Sequence, residues 1–120
     1  MKETDLTGIV AEHIDAINAG DTDRAVATFA EDAYVNDNRR EFIGADAIRS
    51  WLANEVVGVK VMIEVREVLD HYGDTAVRVA YDGEFDRTNL PDDILMTNYF
   101  TVRDGKIVSL MIIFNQPADY

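Results

Sequence analysis

After Gly58 the sequence stops repeating at helical spacing and begins to alternate. Val59, Val61, Ile63 and Val65 face Lys60, Met62, Glu64 and Arg66 across a period of two. A long half-buried strand is the reading, and three more follow it. His71-Tyr72-Gly73-Asp74 turns the chain into a second strand, with Val77, Val79, Tyr81 and Phe85 on one face and Arg78, Asp82 and Glu84 on the other. The loop Arg87 to Asp93 leads to a third, in which Ile94, Met96, Phe100 and Val102 alternate. Asp104-Gly105 is a tight-turn signal before the last strand, Ile107 to Phe114. That strand is apolar on both faces, with Val108, Leu110, Ile112 and Phe114 on one and Ile107, Met111 and Ile113 on the other. Four long strands form an antiparallel meander with one face to bury against helices and another needing a second cover.

The helices come first. Leu6, Ile9, Val10, Ile14 and Ile17 recur at helical spacing up to Ala19, and Gly20 stops the run. Asp21 or Thr22 can cap a short second helix carrying Ala25, Val26 and Phe29 and running out near Glu31 and Asp32. Ala33 to Asp37 and Glu41 to Ile43 form a small hairpin around Asn38-Arg39-Arg40, and a third helix spans about Ala45 to Glu55. At 120 residues this is one domain, 1–120, with a core that needs no covalent staple.

The charge balance, 11 basic against 23 acidic residues, gives −12 and disfavours nucleic acid and polyanionic substrates. A small, largely apolar ligand suits such a chain better. The absence of cysteine excludes disulfides, thiolate metal sites and a cysteine nucleophile. Neither a leader-like N-terminus nor a membrane-length apolar run is present, so the expectation is a cytoplasmic protein without membrane association. The two-faced last strand predicts a homodimer through the outer face of the sheet, with an intramolecular cover as the rival.

Three polar residues break the apolar pattern. His13 lies in the centre of the buried stripe of the first helix, between Ile9, Val10 and Ile17. Asn98 occupies the inward register of Ile94, Met96, Phe100 and Val102. Asp37 has the parity of Val35, which turns it towards the helices. Each has a structural alternative: a hydrogen-bonded core histidine, a satisfied core amide, and a strand-end carboxylate paired with Arg39 or Arg40. Together they mark one interior. Ile17, Phe29, Trp51, Met96, Phe100, Leu110, Ile112 and Phe114 are the residues expected to wall a cavity around them, although aromatic residues at such spacing also serve as plain core. Metal-ligand spacing is absent, as are phosphate-binding loops, dinucleotide fingerprints and a nucleophile elbow.

The order helix, helix, hairpin, helix, four strands resembles the nuclear transport factor 2-like superfamily over nearly the whole chain. Ala16-Ile17-Asn18-Ala19-Gly20-Asp21, Phe29 to Asp37, Ile43 to Ile48 and Asp104-Gly105-Lys106-Ile107 look like its SnoaL-like polyketide cyclase and ketosteroid isomerase branch. The resemblance implies an α+β fold: a cone-shaped barrel with three N-terminal helices packed in a strongly curved, mainly antiparallel sheet. It places Asp37 at the general base of the steroid isomerases. His13 falls where they carry an oxyanion-hole tyrosine, and Asn98 where they carry a protonated aspartic acid. Epoxide-opening relatives use an Asp-Arg-Asp arrangement, which Asn98 does not match. The implied activity is proton transfer in an apolar carbonyl compound without a cofactor or metal, with Asp37 as base and His13 and Asn98 as donors. Cyclisation or dehydration by acid-base chemistry, and non-catalytic binding of a hydrophobic metabolite, are the alternatives.

Overall fold

The computed structural model describes residues 8–71, 74–84 and 94–114. The loop Arg87 to Asp93, Phe85, the tip Tyr72-Gly73 and Leu6 lie outside them. Helix α1 spans Gly8–Asn18 and buries Val10, His13, Ile14, Ala16 and Ile17, the face that its periodicity selects. Helix α2, Thr22–Ala27, is capped by the Asp21 side chain, which accepts a hydrogen bond from the backbone N–H of Arg24 at 3.1 Å. It ends four residues earlier than the expected Glu31. The residues that follow pair with other strands instead, so that Phe29–Asp37 forms a nine-residue strand β1.

Strand β1 turns through Asn38 and Arg39 into β2, Arg40–Ile43. Both turn residues have positive φ, 52° and 79°, as a two-residue hairpin turn matched to strand twist requires. Arg40 is therefore a strand residue opposite Asp37 and not part of the turn. Helix α3, Ala45–Trp51, passes into one wide π-helical turn, Leu52–Val56, where a single α-helix to Glu55 was expected. Gly58 closes this turn in a position that admits no side chain, because an added Cβ would lie 2.3 Å from the carbonyl oxygen of Ala53. Gly58→Ala is expected to cost about 1 to 3 kcal/mol through backbone displacement, read as a lower urea midpoint at unchanged slope.

The long strands are β3 (Met62–His71), β4 (Asp74–Asp82), β5 (Ile94–Arg103) and β6 (Lys106–Phe114). They pair as the antiparallel meander the alternation predicts, and β6 then runs parallel to β1. The sheet order is β2-β1-β6-β5-β4-β3, with β2 and β3 as free edges, so the sheet curls without closing into a barrel. The Asn18 side-chain amide pins α1 to the β3 edge, accepting from the Ile63 N–H at 2.7 Å and donating to its carbonyl at 2.9 Å.

A register shift between Thr101 and Val102 in the β5–β6 ladder corrects the faces expected for the last strand. It turns Ile107 inward, fully buried, while Val108 is only half-buried. The outward apolar residues of β6 are thus Met111 and Ile113, beside Tyr99 of β5. A second shift, between Val65 and Glu67, leaves Leu69 exposed. The core fills the concave side, where Ile48, Trp51 and Leu52 meet Val35, Val77, Val79, Phe100 and Leu110. No helix among the described residues is long and apolar enough to cross a membrane.

Candidate active site

Between the helices and the curled sheet lies a cavity of about 210 Å³. His13 reaches it from α1, Asp37 from the end of β1, and Asn98 from the inner face of β5. The three residues that break the apolar pattern therefore share one chamber. Of the expected wall, Ile17, Trp51, Met96, Leu110, Ile112 and Phe114 line it. Phe29 and Phe100 do not; they pack edge-on against the His13 ring, with ring centres at 5.2 and 5.5 Å.

The Asp37 carboxylate is held at both oxygens. The indole N–H of Trp51 donates to Oδ2 at 3.0 Å, and the Asn38 amide donates to Oδ1 at 3.0 Å. Both donors are themselves fixed. Trp51 is buried in the core and stacked on Phe42, and the Asn38 side-chain oxygen accepts from the Phe114 N–H at 2.8 Å while the Asn38 backbone N–H donates to the Ile112 carbonyl. Arg40 does not take the carboxylate. Its guanidinium forms a two-pronged pair with Glu55, Nη2 donating to Oε2 at 2.7 Å.

His13 is buried, and its ring is held by Thr28. The single hydroxyl proton of Thr28 is donated to the Ala25 carbonyl at 2.6 Å. In the 3.2 Å contact between His13 Nδ1 and Thr28 Oγ1 the hydrogen must therefore come from Nδ1. Burial pushes the imidazole pKa down to about 4, so the ring is neutral at pH 7. A neutral ring protonated on Nδ1 leaves Nε2 as a bare acceptor. In that tautomer Nε2 accepts, whereas the resemblance implied a donor at His13.

Asn98 is equally buried and pairs with Tyr81, which reaches the same cavity from β4. The contacts from the Tyr81 hydroxyl to Asn98 Oδ1 and Nδ2 are 3.3 and 3.2 Å. The pair owns three protons and uses one internally, so whichever way the bond runs two are left for another acceptor. Burial raises the Tyr81 pKa and keeps the phenol protonated. Tyr81 escaped the sequence reading because its ring satisfied the inward apolar pattern of Val77 and Val79 and hid the hydroxyl. Glu55, Val56, Val61 and Ile94 also line the cavity. The wide turn Leu52–Val56 carries Glu55 there, on the face that helical spacing from Ile48 and Trp51 already marks, so the signal for it lay in the sequence. Among the described residues no group of three or more metal-binding side chains is gathered.

A curled six-stranded sheet with helices on its concave face is the nuclear transport factor 2-like architecture. Residues 10–110 match the SnoaL-like domain, and the chain belongs to that family. It is similar to a protein from Sinorhizobium meliloti provisionally described as a polyketide cyclase, at 30% identity and a TM-score of 0.81, covering 93% of this chain and 99% of that one. It is also similar to SalBIII, an epoxide hydrolase/cyclase-like enzyme of pyran ring formation in the polyether salinomycin. That likeness has 27% identity, a TM-score of 0.78 and coverage of 90% and 88%. A Kribbella flavida protein provisionally described as a ketosteroid isomerase shares the fold at 13% identity, with a TM-score of 0.76 and coverage of 93% and 78%. Family and fold together mark a small-molecule acid-base enzyme or binding domain.

Proposed function

We propose that this protein is an enzyme that moves a proton at a carbon next to a carbonyl group, as an isomerase or cyclase acting on a small apolar compound. The observation that carries this reading is one cavity holding a doubly anchored carboxylate, Asp37, and a donor pair, Asn98 and Tyr81. Asp37 abstracts the proton, and the donors stabilise the charge that develops on the carbonyl oxygen. The chemistry asks no cofactor or metal of these side chains. A cavity of about 210 Å³ exceeds by a modest margin the roughly 150 Å³ engineered cavity that accepts benzene. That size favours a one- or two-ring compound over a four-ring steroid.

The test is hydrogen-deuterium exchange at the α-carbons of 2-tetralone in D₂O, followed by proton NMR. The wild-type protein is expected to accelerate exchange well beyond an equal concentration of free acetate. Rates equal to that control, with the ketone bound, would favour the non-catalytic binding domain.

We also propose that two copies associate through the outer face of the sheet. Support comes from Tyr99, Met111 and Ile113, neighbours in the β5–β6 register that are 47%, 39% and 44% exposed. Light scattering at low micromolar concentration should give twice the 13.5 kDa chain mass, and a monomer mass would contradict it.

A further inference from the structure

The two ends of the hydrogen-bonding surface around His13 have opposite polarity. Nδ1 is committed to Thr28, whose own proton is committed to Ala25, so the lone pair on Nε2 is what the ring can offer a ligand. Beside it stand donors. Asn98 and Phe100 lie two residues apart on the inner face of β5, the Phe100 ring packs edge-on against the His13 ring, and Asn98 lines the same cavity as His13. Asn98 and Tyr81 line the cavity and keep two protons beyond the one their mutual bond uses.

A carbonyl oxygen satisfies only the donors and sets its lone pairs against Nε2. A hydroxyl satisfies both, giving its proton to Nε2 and accepting one from Asn98 or Tyr81. The buried position of His13, 1% exposed, sharpens this choice, because an unmatched polar group in an apolar chamber is costly. We propose that the His13 end of the cavity is a hydroxyl-recognition subsite, and that the compound it takes carries a hydroxyl group beside its carbonyl, as a hydroxy-ketone or an enol. The inference rests on the cavity being the ligand site described above. It deepens that reading by giving Nε2 the hydroxyl and leaving Asp37 the carbon acid.

Two measurements test it without turnover. Long-range proton-nitrogen NMR of the histidines at pH 7 should show His13 with a protonated Nδ1 and an unprotonated Nε2, and 2-naphthol should move the Nε2 resonance towards the hydrogen-bonded range. In a titration, 2-naphthol should bind about tenfold more tightly than 2-tetralone, which accepts but cannot donate. Thr28→Val, which frees the tautomer, should shrink that ratio. A protonated Nε2 in the free protein, equal affinities, or no binding of naphthol at millimolar concentration would overturn the subsite. Naphthol held on Nε2 by a protein that exchanges no α-protons would support the subsite and overturn the catalytic reading instead.

Discussion

Asp37→Asn is expected to lower the rate of α-proton exchange by a factor of about 10² to 10⁴, the span a positioned general base contributes. The substitution keeps shape and length and removes basicity. One oxygen remains to accept from Trp51 or Asn38, and the new amide group opposes the other donor, so a stability cost of about 1 kcal/mol accompanies the change. Affinity for 2-tetralone should move by less than about tenfold, because the apolar wall and the Asn98–Tyr81 donors are untouched. The loss then falls on the chemical step, which places the carboxylate in the reaction and not merely in the wall. A variant exchanging as fast as the wild type would remove Asp37 from the mechanism.

His13 gives the second large effect, on stability. Its pKa is about 4 in the folded protein and 6.5 when unfolded, because burial disfavours the charged ring. Between those values the unfolded chain binds more protons than the native one, so stability rises with pH across that interval. Above pH 6.5 the contribution is complete, and it is lost as pH falls towards 4. The full difference is about 3 kcal/mol. Urea titrations from pH 7.5 to 4 should show this slope in the wild type and a shallower one in His13→Phe, the comparison cancelling the other titrating groups. Identical slopes would mean that His13 is not held neutral.

Alternation made the meander legible because each of its strands has one face to bury, and the inward register of Asn98 and Asp37 follows from the same rule. Departures occur where backbone geometry breaks the period. The irregularity near Val108 turns Ile107 inward, and the one between Val65 and Glu67 turns Leu69 outward. The local spacing of Phe29–Asp32 suits a helix end, but Phe29 pairs with Ile107 and Tyr34–Asp37 pair with β6 again, and the segment between runs as strand. The position of His13 was readable from one helix face, whereas its polarity was not. That depends on Thr28, fifteen residues away, and on the carbonyl that receives the Thr28 proton. Tyr81 shows the complementary limit, since a phenol reads as apolar body or polar tip according to what lies opposite it.

A crystal structure of the wild-type protein with 2-tetralone tests the central claim most directly. The account predicts the ketone oxygen within hydrogen-bonding distance of Asn98 Nδ2 or Tyr81 Oη, with an adjacent CH₂ facing the Asp37 carboxylate. A ketone whose oxygen turns away from that pair, or whose α-carbons lie out of reach of Asp37, would contradict it.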